Sequence, residues 1–102
     1  MEVRDSFSKA LRLVRQRQGL TQEDFSIVSS RTYVSMLERA ATSPTLEKLD
    51  GLCKVLDIHP VTLLAITYLL GPESPGSRES LLKIVGDELD RLLAEQTSFH
   101  SC

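Results

Sequence analysis

Apolar residues recur along this chain at i, i+3, i+4, i+7 spacing, and nowhere do they alternate with polar ones for long enough to build a strand. Phe7, Ala10, Leu11 and Val14 line one face of a first helix, predicted over roughly 5–18, with Ser6 as its N-cap and Gly19 just past its end. Thr21-Gln22-Glu23-Asp24 has the form of a loose capping box and opens a short second helix with Phe25 and Val28 turned inward. Ser30 caps a third helix from Arg31 to Arg39, whose inward residues are Val34 and Leu37. Thr45 caps a fourth, with Leu46, Leu49, Leu52, Cys53 and Leu56 on its apolar face and Glu47 at the positive end of its dipole. His59-Pro60 begins a fifth, since Pro is favoured in a first turn. Val61, Leu63, Leu64, Ile66, Leu69 and Leu70 make that helix apolar almost all round, which predicts burial on more than one side.

The run Gly71–Ser77 holds two Pro and two Gly and cannot continue a helix. A sixth helix, capped by Ser77, is expected to reach about Gln96. Its Leu82, Val85, Leu89 and Leu92 are spaced 3, 4 and 3 apart, the spacing of a two-helix seam, and Leu81, Ile84 and Leu93 widen the stripe. The segmentation that follows is a helical domain over 1–70, a linker over 71–77, a pairing helix over 78–96 and a patternless tail over 97–102. The class is all-α.

Composition narrows the possibilities. A chain of 102 residues, 41% hydrophobic and 25% charged, fits one folded domain, and with no Trp its core must be mostly Leu, Val and Ile. The net charge is −2, whereas a nucleic-acid binder is commonly basic. The charge is uneven, however. Residues 1–40 carry seven Lys or Arg against five Asp or Glu, and residues 71–102 carry three against six. The N-terminal part can therefore meet a polyanion. No apolar run approaches the ~20 residues of a membrane span, and the N-terminus lacks a secretory apolar stretch, so no membrane partner and a cytoplasmic setting are expected. Cys53 and Cys102 are not placed to staple the chain. Two His and two Cys so scattered offer no metal spacing, and neither a Gly-rich phosphate loop nor a nucleophile set occurs, so no cofactor, metal or enzymatic activity is expected.

Five short helices with a very tight connection between the second and third form a helix-turn-helix arrangement. Leu11–Phe25 (LRLVRQRQGLTQEDF), Ser30–Arg39 (SRTYVSMLER) and Ser43–Leu49 (SPTLEKL) together resemble the Cro/cI (XRE-like) helix-turn-helix family of phage and bacterial repressors, over roughly residues 7–70. The resemblance implies a five-helix, lambda-repressor-like DNA-binding domain, here followed by a C-terminal dimerisation helix. It also implies roles for individual residues. Thr21 and Gln22 begin the second helix, where the family sets a Gln against a phosphate. Arg31, Thr32, Ser35 and Met36 stand at base-reading positions: Arg can pair with guanine, the hydroxyls can donate or accept, and Met can touch a thymine methyl. Ser30, Tyr33 and Arg39 suit backbone contacts, and Arg15 and Glu38 match an ion pair that ties the first helix to the end of the third. Three departures stand out. The turn Val28-Ser29-Ser30 is short and lacks the usual Gly, Ala40 replaces a Gly, and Ala41-Thr42-Ser43-Pro44 has no cation.

Two functions follow. The first is a homodimeric, sequence-specific transcriptional regulator, repressor or controller, nucleoid-associated and bound to double-stranded DNA at a near-palindromic operator, with Leu82, Val85, Leu89 and Leu92 as the dimer contact. The alternative is an antitoxin-like protein-interaction module on a degenerate helix-turn-helix, for which Arg31 and Arg39 are solvated charges and Met36 fills the core.

Overall fold

In the computed structural model, which describes residues 3–94, the helices begin where the caps are strongest. Ser30 Oγ accepts the Tyr33 N–H at 3.1 Å, Thr45 Oγ1 the Lys48 N–H at 3.1 Å, and Ser77 Oγ the Ser80 N–H at 3.1 Å. At His59 the imidazole Nδ1 takes the same role toward the Val61 N–H at 3.0 Å, ahead of Pro60. The resulting elements are α1 (Val3–Arg17), a single 3₁₀ turn (Gln22–Phe25), α2 (Arg31–Glu38), α3 (Leu46–Leu56), α4 (Pro60–Leu70) and α5 (Arg78–Leu92), with no strand among the described residues. None of these helices is long and apolar enough by itself to cross a membrane.

One apolar core joins them. Phe7, Ala10, Leu11 and Val14 of α1 meet Phe25, Val34 and Leu37 on one side and Leu49, Leu52, Cys53, Leu56 and Leu63 on the other. Each fully buried Leu or Phe contributes ~1.5–3 kcal/mol of transfer free energy. The turn that presents α2 is held from beneath, because Val28 lies over Gly51 of α3, where an added Cβ would stand 3.5 Å from the Val28 Cβ. Gln18 closes the far end, its Nε2 donating to the Leu56 carbonyl at 2.8 Å. Burial, with a smaller push from the Asp50 carboxylate, raises the Cys53 thiol from its ordinary 9.0 to about 11, so it stays protonated at neutral pH.

Several expectations are corrected here. Helix α1 starts at Val3, so Ser6 is not its cap but lies inside the helix and is buried. The second helix shrinks to one 3₁₀ turn because the β-branched Ile27-Val28 and the Ser29-Ser30 pair disfavour its continuation; of its four residues only Phe25 is buried. Leu46, expected in the core, is 78% exposed, because it lies at the rim of an open groove beside Val3, Phe7, Leu64 and Tyr68 that no described residue covers. In α4 only Leu63 and Thr67 are buried, and Val61, Tyr68 and Leu70 face outward. Thr67 is tolerated inside because its hydroxyl donates to the Leu63 carbonyl at 2.9 Å. Helix α5 stops at Leu92, short of Gln96, and no residue of it is buried. A last turn without tertiary packing has little to hold it. Gln96, the tail 97–102 and Cys102 lie outside the described residues.

The chain leaves α2 through Ala40, whose φ is +60°. This is left-handed backbone, costly for any residue with a Cβ and natural for Gly. Ala40→Gly is expected to raise the free energy of unfolding by about 1 kcal/mol, read as a higher denaturation midpoint with an unchanged slope. A second measurement concerns Cys53. Its raised pKa means that stability present below pH 9.0 is lost as pH rises through about 11, and that the native thiol resists alkylation at pH 8 while the unfolded chain reacts.

Candidate nucleic-acid interface

The placement of α2 depends on one carboxylate. Glu38, at its last position, is 3% exposed and receives a fork of two bonds from Arg15 of α1, Nε to Oε2 at 2.6 Å and Nη2 to Oε1 at 2.9 Å. The remaining Arg15 donor, Nη1, reaches the Leu20 carbonyl at 3.0 Å. Gln22 of the 3₁₀ turn donates Nε2 to the same carboxylate at 3.2 Å, and Arg12 donates to the Glu38 carbonyl at 2.8 Å. One acid thus binds α1, the 3₁₀ turn and α2 together. The fork meets the condition under which a sheltered ion pair offsets its desolvation, because both carboxylate oxygens accept bonds and each of the three guanidinium nitrogens donates one. The bonds from Arg15 to Glu38 hold the guanidinium above its ordinary pKa, against the opposing effect of burial.

With Val34, Leu37 and Glu38 fixed inward, the other side of α2 is presented outward. Arg31 and Thr32 are exposed; Tyr33, Ser35 and Met36 are half-buried. Arg31 lies at the N-terminal end, where its Nη1 is 3.2 Å from the Glu23 carboxylate in an open pair. Arg39 follows the C-terminal end and folds back to the Ser35 carbonyl, Nε to O at 3.3 Å. Ser30 spends its hydroxyl on capping. Thr21 donates both its N–H and its hydroxyl to Asp24 Oδ2, at 2.7 and 3.1 Å. Gln22, expected outward at a phosphate, turns its amide nitrogen inward to Glu38, so its placement is set by the domain's own packing. Tyr33 lies under the Lys48 ammonium, 5.4 Å from the ring centroid, and burial raises its phenol pKa.

Lys48 had not been singled out from the sequence. It adds a cation beside the turn, its Nζ 3.4 Å from the Val28 carbonyl. The signal available was its place three residues after the Thr45 cap, on the first turn of the helix that follows the cation-free loop.

A family model for the helix-turn-helix matches residues 11–63, just over half of the chain. The chain belongs to the Cro/cI-type (XRE-like) helix-turn-helix family. That is a family of DNA-binding regulators, usually without enzymatic activity. No curated protein and no solved structure matches the chain. The matched span runs from Leu11 in α1 to Leu63 in α4, so it includes the Arg15–Glu38 pair and all of α2, and it stops short of α5.

In this helix-turn-helix domain the two ion pairs near α2 differ in kind. Glu38→Ala leaves Arg15 half-sheltered without a counter-charge and is expected to cost ~3 kcal/mol of stability. Glu23→Ala breaks an exposed pair and is expected to cost under ~1 kcal/mol. Urea unfolding of the two variants, followed by circular dichroism, measures the difference.

Proposed function

We propose that this protein is a homodimeric, sequence-specific transcriptional regulator that sets α2 in the major groove of duplex DNA at a near-palindromic operator. The observation that carries the reading is the split of α2. Its inner side is pinned through Glu38, and its outer side offers Arg31, Thr32, Ser35 and Met36 as one row of donors, acceptors and apolar surface. A rigid polar helix face matches what direct readout of base edges requires. Arg31 reads a base from the N-terminal end of α2; Ser30, Tyr33 and Arg39 contact the backbone, with Thr21 and Gln22 near the adjacent phosphates. A module of this size buries little DNA surface alone, which favours pairing of two copies. As repressor, or as controller of its own gene, it acts by blocking a promoter.

The acidic neighbours temper the electrostatics. Glu23 holds Arg31 in the free chain, and Asp24 adds a second negative charge on the same turn. Non-specific affinity is therefore weak, and discrimination depends on base contacts more than on counterion release.

Binding measured by fluorescence anisotropy, on a site selected from a random duplex pool, tests the assignments. Arg31→Ala is expected to cost ~1–3 kcal/mol on the preferred site and to relax preference at one base pair. Arg39→Ala is expected to weaken all duplexes alike and to reduce the salt slope by about one unit. Glu23→Gln frees Arg31 and removes a like charge, raising affinity by up to about fivefold at low salt. Uniform loss across sequences in both arginine variants would overturn the base-reading role of Arg31, and no salt-dependent duplex binding at all would overturn the function.

A further inference from the structure

An apolar surface lies outside the DNA-binding reading of α2, on α4 and α5. Helix α4 carries no Asp, Glu, Lys or Arg over its 11 residues, yet Val61, Tyr68 and Leu70 are exposed. Helix α5 packs beside it and buries no residue of its own. Between the two runs a groove of ≈150 Å³ with apolar walls, formed by Val61, Leu64 and Tyr68 of α4 and by Leu82 and Val85 of α5. Past this groove, Leu89 and Leu92 are exposed on the second half of α5, Leu92 by 68%. The first half of the seam therefore borders a groove, and the second half carries unburied side chains of the kind that groove accepts.

Charge on α5 is polarised in the same sense. Arg78 and Lys83 outnumber Glu79 in its first half, while Asp87, Glu88 and Asp90 outnumber Arg91 in its second. A parallel pair would set three acids of each copy side by side, whereas an antiparallel pair sets acidic half against basic half and opposes the helix dipoles. Gly86 sits near the middle of the helix, and a Cβ built on it would meet nothing within 4 Å, so two helices can cross closely there. At ~1.5 Å per residue α5 spans only about 22 Å, or two heptads, which is marginal for a helix pair standing alone.

We propose that a second copy of the chain covers this surface in an antiparallel, two-fold arrangement, with Leu89 and Leu92 of each protomer seated in the partner's α4–α5 groove. The proposal rests on the dimer reading above and adds its orientation and its second element. The interface is isologous, each copy giving a groove and filling one, and α4 supplies the apolar area that α5 lacks.

The test uses the full-length chain with Cys102→Ser, Cys53 being buried. Leu82→Cys protein is mixed with Leu89→Cys or Leu92→Cys protein and oxidised mildly, since a disulfide forms only where Cα atoms approach within ~7 Å. A heterodimeric cross-link well above that of each variant alone is expected in at least one mixture. Sedimentation equilibrium of the unmodified chain should give a dimer at micromolar concentration, and Tyr68→Glu, at an exposed position, should weaken association at least tenfold. Cross-linking of the single variants with themselves, in a chain of dimeric mass, overturns the antiparallel orientation while leaving the dimer standing. Unchanged association of Tyr68→Glu removes α4 from the interface, and a monomeric chain removes the dimer itself.

Discussion

A buried carboxylate holds the helix-turn-helix of this molecule in place. Glu38 is the last residue of α2 and the common acceptor for Arg15 and Gln22, with Arg12 bonded to its main-chain carbonyl. Three elements that already share an apolar core are also joined through one charged group. The bidentate fork fixes direction as well as distance, so α2 is held against rotation about its own axis. That is the property a reading helix requires, since a small roll would exchange Thr32 and Ser35 for other side chains on the outward face. The rest of the core can then remain simple: Leu, Val and Phe packed without Trp around α1.

The outward face of α2 is only weakly cationic. Arg31, Arg39 and Lys48 surround α2, and all three have local partners, in Glu23, the Ser35 carbonyl and the Tyr33 ring. Exposed pairs of this kind cost little to break. A duplex can displace them, at the expense of overall affinity and with a gain in dependence on the correct bases. The Thr21–Asp24 contacts have the opposite role: they tie the start of the 3₁₀ turn with an acid, and stabilise the turn at some electrostatic cost toward a phosphate.

A second tension lies at the other end. Helix α4 is one side core and one side open, and α5 is open throughout, so the chain carries apolar surface that its own fold does not cover. The surface is continuous across both helices and is flanked by charge that changes sign along α5.

Helical periodicity, caps and the ordered family motifs were enough to define an all-helical helix-turn-helix domain, because those signals are local and each agrees with the next. Phe7, Leu11, Val34, Leu37, Leu52 and Leu56 could be read as core directly from their spacing. The residue identities at Arg15 and Glu38 suggested a pair by resemblance alone; its geometry, and the inward turn of Gln22, depend on where three separate elements meet. Local pattern also misjudged Leu46 and the outer face of α4, since apolar character states what a side chain prefers and not whether a neighbour arrives to cover it. Ser6 was mistaken for a cap because a hydroxyl before an apolar run looks the same at a helix start and inside one. Lys48 near Tyr33, the left-handed Ala40 and the groove between α4 and α5 all arise from segments distant in sequence or from backbone angles, which composition and spacing do not encode and only tertiary packing decides.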